Sequence, residues 1–458
     1  MKSKKVLQFT IFTIMISVFN VSYISSAIPT RFTKDRLTVH CPENLAILHI
    51  LVIISNSDNY QTKMFTHPLA HKAQKYFSSC KNHPAVFITG NLYQQMWYFP
   101  LNYLAFHYSE FPQAKEIHPF PSEFDIDDTM KTLLTNYVHQ VNDFYITSNF
   151  KQFWEEHSDE ITAIIENVKN DFPEVDLPHM MEEFYGREIE KFYLVPCPFM
   201  TNSGTHVEVN KNGKWNFYHL AGPDLFSDPF TNIYTAFHEF SHSFIEPVSR
   251  EYSSQINKLA YLYKPLQQEF SRMGYRDWDR AFNEHMVTAG QLHFTGMSFG
   301  DERKERMLNI EKNKGFRLIE RFYNYLQDYK ENRKHYNTLY DYYPVLLQDL
   351  ATIQIDSCRT AGPLGIYAEY SDDGCYIKDI VTGSSMAQAG IQKGDILVAI
   401  KDIEITSQDK LKQAKEKYWN SADEGEKITI TIKRNGEVIS KPVLVLVKTR
   451  YEFLQKNK

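Results

Sequence analysis

The chain has 458 residues, of which 43% are hydrophobic and 23% charged, and its formal net charge is −6. That length suits two or three domains with sizeable cores. The negative balance argues against a nucleic-acid binder, which presents a basic face.

The first 27 residues read as a targeting segment. Lys2, Lys4 and Lys5 precede the apolar run "VLQFTIFTIMISVFNV", and "SSA" at Ser25–Ala27 supplies small residues for cleavage. This predicts a signal peptide over 1–27, no transmembrane segment after its removal, and a secreted or periplasmic protein. "LAILHILVII" (Leu45–Ile54) is too short to cross a bilayer and is expected to be a buried element. Five cysteines (Cys41, Cys80, Cys197, Cys358, Cys375) are too sparse for a disulfide framework, which leaves room for one bridge in an oxidising compartment, and the lack of a C-x-x-C pair disfavours a thiolate zinc site.

From Ile28 to about Leu350 the periodicity is mostly helical. Asn149–Phe172 reads as one long solvated helix, and the charges of Asp301–Gly315 are explained the same way. The period then changes to that of strands at Lys191–Phe199, Thr205–Asn210 and Lys214–Leu220. Asn212-Gly213 suits a tight hairpin between the last two. A small antiparallel sheet is therefore expected to lead into the next segment.

That segment is "YTAFHEFSHSFIEP" (Tyr234–Pro247), in which His238, Glu239 and His242 stand in the order H-E-x-x-H. Asp228 and Pro229 predict a helix start, and Pro247 predicts its end. Phe230, Ile233, Tyr234, Phe237, Ser241 and Phe244 recur at helical spacing and mark a buried face. His238 and His242, one turn apart, can reach one Zn²⁺ at about 2.0–2.1 Å each. Glu239 then points to the water that such a site would activate.

A third ligand is sought downstream. In "RDWDRAFNEHMVTAGQLHF" (Arg276–Phe294), Trp278, Phe282, Met286 and Ala289 repeat at helical spacing and place Glu284 on a second helix. A carboxylate there completes a His₂Glu set with an open fourth position. Glu246, His285 and His293 are the other candidates. Donors for an oxyanion include Tyr252, Tyr261, Tyr275 and His285.

"HEFSH" followed by "NEH" on a later helix resembles the gluzincin zinc metallopeptidases, and Trp278, Asn283 and Glu284 resemble the same helix in their aminopeptidase branch. Residues from about 40 to 350 are also similar to secreted bacterial proteins known only as a domain of unknown function. The resemblance implies an α+β fold: a mostly helical zincin-like metallopeptidase domain with a small antiparallel sheet. It implies His238, His242 and Glu284 as zinc ligands and Glu239 as general base, hydrolysing peptide bonds with a zinc-activated water. The chain departs from the pattern in three places. Forty-one residues separate His242 from Glu284, Thr288 stands where thermolysin-like enzymes carry an Asp, and the glycine-rich exopeptidase motif is absent.

After Asp356 short strands separated by glycines take over, interrupted by one helix at Ser407–Trp419. "GPLGIYAEY" and "AGIQKGDILVAIKD" resemble a bacterial protease-associated PDZ domain, a β-barrel-like fold. The resemblance implies that the loop of Pro363, Leu364, Gly365 and Ile366 holds a peptide's terminal carboxylate, with the peptide added as a strand beside Ile366–Glu369. The expected organisation is a signal peptide (1–27), a metallopeptidase domain (28–355) and a PDZ domain (356–458). Polypeptide substrates and peptide C-termini are the expected partners. Two alternatives stay open: an exported peptide-binding protein on a degenerate peptidase scaffold, and a hydrolase of non-peptide amides.

Overall fold

The computed structural model describes residues 36–55, 65–94, 98–120, 124, 126–172, 176–371, 374–423 and 425–454. The expected targeting segment at 1–27 lies outside them. The chain divides into two compact units between Ala351 and Thr352. No helix among the described residues is long and apolar enough to cross a membrane.

The N-terminal unit is mostly helical. The apolar run at 45–54 lies in a helix, Glu43–Ser55, whose residues 44–54 are all buried. The stretch expected to be one long helix is two, Phe150–Glu156 and Ser158–Asp171. The break falls at His157, whose ring nitrogen bonds back to the Phe153 carbonyl at 2.9 Å.

One sheet of four strands lies in this unit: β1 (Leu37–Val39), β2 (Lys191–Pro196), β3 (Gly204–Lys211) and β4 (Lys214–Ala221), in the order β1-β2-β4-β3. The expectation of a purely antiparallel sheet is corrected here, because β1 pairs β2 in parallel and β2 pairs β4 in parallel. Only β3 and β4 run antiparallel, through the hairpin at Asn212 (φ 55°) and Gly213 (φ 83°). The residues between β2 and β3 carry the chain across the sheet so that β4 can return beside β2. This puts β3 at one edge of the sheet, with β1 at the other.

The H-E-x-x-H segment lies in a 23-residue helix, Pro229–Glu251. Asp228 caps it, its carboxylate accepting from the Thr231 N–H at 2.8 Å, a contact of about 1 kcal/mol. Pro247 does not end this helix, contrary to expectation; four further residues follow within it. A proline frees the carbonyl four residues earlier, here that of Ser243. The Arg187 guanidinium donates to that carbonyl at 3.0 Å, so the helix continues without a buried orphan acceptor.

A second helix, Trp278–Phe299, is capped by Asp277 and packs along the first. Gly290 makes the close approach possible: a Cβ there would lie 2.2 Å from the Tyr185 hydroxyl. That hydroxyl donates to Ser241 Oγ at 2.8 Å on the first helix.

The C-terminal unit is built on β5 (Ile355–Ala361), β6 (Ile366–Ser371), β7 (Gly374–Ile380), β8 (Ile396–Ile400), β9 (Ile403–Glu404), β10 (Lys427–Arg434), β11 (Glu437–Leu444) and β12 (Val447–Phe453). Six of them form one sheet in the order β11-β10-β8-β7-β6, with β9 beside β8, while β12 pairs β5 separately. Ile377, Leu397, Ile428, Ile430 and Trp419 are among the fully buried residues of its core.

Candidate metal centre and peptide-binding loop

The first helix turns His238, Glu239 and His242 toward a cleft of about 400 Å³. Helical spacing sets the two imidazoles one turn apart, their ring planes 76° to each other. Their Nε2 atoms face each other at 3.3 Å. Glu284, from the second helix, brings Oε2 to 3.6 Å from His238 Nε2 and Oε1 to 3.8 Å from His242 Nε2. Three side chains from segments far apart in sequence thus converge on one point.

The other nitrogen of each ring is engaged from behind. His242 Nδ1 bonds Glu246 Oε1 at 2.8 Å, and His238 Nδ1 bonds Gln291 Oε1 at 3.3 Å. Gln291 is itself held by its amide donating to the Tyr234 carbonyl at 2.8 Å. Acceptors at both Nδ1 atoms put the N–H there and leave each Nε2 lone pair pointing inward. Two such lone pairs at 3.3 Å repel unless a proton or a cation stands between them.

The charge states follow from burial and neighbours. Burial, and the charge on His242, press His238 down to about 3. Burial would lower His242 as well, but the hydrogen bond to Glu246 and the charges of Glu284, Glu246 and Glu239 outweigh it and hold it up at about 9. Burial pushes Glu284 up to about 7, and its Oε2 is buried without a hydrogen-bond partner. The pocket thus sets two inward-facing ring nitrogens beside a buried carboxylate oxygen that has no hydrogen-bond partner. A dication with nitrogen and oxygen ligands would take both lone pairs and satisfy the oxygen, so the donor set fits zinc.

Glu239 lines the same cleft. Burial alone would raise its pKa, but the contact with His206 and the nearby imidazoles outweigh it and hold the carboxylate down at about 2. His206 comes from β3, its Nδ1 3.5 Å from Glu239 Oε2 and its ring stacked on His242 at 4.7 Å and 11°.

Of the other candidate ligands, Glu246 serves as the acceptor behind His242, and with His206 and His242 it forms a second close group. His285 is fully buried against Phe270, ring centroids 5.0 Å apart, and bonds the Ala281 carbonyl. His293 stacks on Phe184 at 4.2 Å. Among the oxyanion candidates, Tyr275 lines the cleft and bonds Glu284. Tyr252 and Tyr261 are turned to backbone carbonyls elsewhere, of Tyr340 and Ala351. Thr288 is buried, and the role of orienting an imidazole falls to Gln291 and Glu246. Sequence reasoning missed Gln291, which lies seven residues past Glu284 on the same helix face, and His206.

In the C-terminal unit Leu364 is buried, Gly365 has φ +81°, and Ile366 opens β6, the edge strand of its sheet. A Cβ at Gly365 would meet the Ser384 Cβ at 2.1 Å, so only glycine fits. The Trp419 indole donates to the Gly362 carbonyl at 2.7 Å and ties the loop to the segment after the helix Gln408–Ala414. Cys41, Cys80, Cys197 and Cys375 are free thiols.

Residues 122–348 match the family described as a domain of unknown function, DUF4932, and residues 362–445 match the PDZ domain. The C-terminal unit is a PDZ domain, which suggests peptide binding. In its PDZ part the chain is similar to the serine protease Do-like HtrA of Bacillus subtilis (strain 168), 28% identical over 90 residues. That match spans 20% of this chain and 19% of the relative, so the chain covers about a fifth of the curated protein it matches. The solved HtrA3 PDZ domain bound to a phage-derived ligand is 16% identical, covering 21% of this chain and 92% of that one, at a TM-score of 0.17. An aminopeptidase N family protein from Idiomarina loihiensis is 12% identical, covering 66% of this chain and 65% of that one, at a TM-score of 0.23. The PDZ assignment rests on the family match rather than on these two structures.

Proposed function

We propose that this chain is an exported zinc-dependent peptidase whose PDZ domain binds substrate or partner peptide tails. His238, His242 and Glu284 would hold the metal, with Glu239 as general base. The observation that carries this reading is the inward convergence of two Nε2 atoms, each ring fixed from behind, upon a carboxylate oxygen that has no other partner. Export is proposed from Lys2, Lys4, Lys5 and the apolar run that follows.

When bound, Zn²⁺ supplies Lewis acidity that polarises a carbonyl and acidifies water. The chain's own residues supply the rest. Glu239, in the cleft wall, accepts a proton from the attacking water and delivers it to the departing amine. Gly204 and His206 of the edge strand β3 line the cleft beside it, so an extended peptide could lie along that edge through main-chain hydrogen bonds. Leu364, Gly365 and Ile366 of the PDZ domain would hold a terminal carboxylate.

A peptide binder without catalysis is the reading supported by the PDZ match alone. Glu239→Gln separates the two. With zinc supplied and a mixture of unstructured peptides as substrate, the variant should cleave at least about 10²-fold more slowly than the wild type while keeping its metal. Equal rates would overturn the catalytic assignment.

A further inference from the structure

Glu239 is a long, flexible side chain that must hold one position to act as a base. Fixing a free glutamate costs rotamer entropy, so neighbours must hold it. Two residues on one face of β3 bracket it. Gly204 stands against Oε1, where a Cβ would lie 2.7 Å away, and His206 Nδ1 lies 3.5 Å from Oε2. They are two residues apart, so the strand's alternation puts both on the side facing the helix.

The His206 ring is itself fixed. It is 8% exposed and stacked on His242. Directly opposite in register is His219 on β4, which therefore shares its face of the sheet. His219 is fully buried and edge-on to Phe240, ring centroids 6.0 Å apart. It stands beside His206 on the face the helix covers, and the His206 imidazole is held between the sheet and the helix.

Resting on the peptidase reading, we infer that His206 is a positioning residue for the general base: its imidazole holds the Glu239 carboxylate in the cleft wall, with Gly204 leaving the room that this position needs. Zinc content of the variants separates this role from that of a metal ligand, and their kcat separates it from that of a packed ring.

Three proteins test this: wild type, His206→Phe and His206→Asn. Phenylalanine keeps the ring and its stacking and removes the nitrogen, whereas the asparagine amide nitrogen stands near the place of Nδ1. Crystal structures, zinc content, thermal midpoint, kcat and KM are measured for each. In the Phe variant, zinc content and midpoint should match wild type, and the Glu239 carboxylate should leave its place beside Gly204. Its kcat should fall about 10²-fold with KM within about two-fold, the size expected for a misplaced catalytic group. Asparagine should restore both the carboxylate position and most of kcat.

If Glu239 keeps its position in the Phe variant, or if Phe and Asn lose kcat equally, His206 has no positioning role. Should Phe fail to fold, the Asn variant still decides, because a displaced Glu239 there overturns the inference and a retained one supports it. Absence of hydrolysis by wild type would instead count against the peptidase reading, and the position of Glu239 in the variant structures would still judge His206 alone.

Discussion

Gly204 and Glu239 touch where no side chain could stand between them. A Cβ on residue 204 would lie 2.7 Å from Glu239 Oε1 and 3.3 Å from Leu225 Cδ1. The obstructing atom is the far end of a flexible side chain, so the fold can yield at that point alone.

Gly204→Ala should therefore leave the thermal midpoint and zinc content close to wild type while displacing the base. Peptide cleavage should fall by about 10²-fold, as expected for a misplacement of about 1 Å. Steady-state kinetics with calorimetry checks this, and full activity in the alanine variant would contradict it.

Glu246 is the acceptor that orients His242, its Oε1 2.8 Å from Nδ1. Removing an acceptor behind a metal-bound imidazole typically costs 10–100-fold in metal affinity. Glu246→Ala should weaken zinc binding by about that factor in a chelator competition, with the fold retained. An unchanged affinity would mean that Glu246 does not orient the ligand.

The PDZ domain carries its own acid-sensitive contact. Asp395 is buried and accepts two bonds from the Arg434 guanidinium, both at 2.7 Å, and one from the Gln392 N–H at 2.8 Å. Burial raises its pKa, but Arg434 and the backbone bond outweigh it, so the net value lies below the ordinary 3.8. A carboxylate depressed in the folded state stabilises fully above its unfolded pKa and loses that contribution as pH falls through the folded value. The domain's melting temperature should hold from neutrality to about pH 4 and fall below it. Asp395→Asn should lower it at pH 7 and flatten the acid limb. Equal melting temperatures for both proteins at pH 7 would contradict this.

Much of the site was legible because helices obey a fixed period. The four-residue spacing of His238 and His242 places both on one helix face, and the apolar repeat around Glu284 puts that residue on a helix. Gln291 lay within reach of the same logic, seven residues beyond Glu284. Glu246 stands one turn past His242, a spacing that suits an acceptor for that ring's Nδ1 as well as a ligand. His206 could not be found in this way. Strand alternation says which residues share a face, but not which helix covers it.

The helix end likewise depends on a residue distant in sequence. Pro247 stops a helix only if the Ser243 carbonyl has nowhere to turn, and Arg187, far upstream, takes it. The parallel pairing of β1 with β2 was hidden because β1 has only three residues, too few to show a period.

Metal analysis of purified wild type beside Glu284→Ala addresses the central claim directly. One equivalent of zinc per wild-type chain, lost or greatly reduced in the alanine variant, is the predicted result. A wild-type protein without stoichiometric zinc, or a variant that retains it in full, would contradict the account.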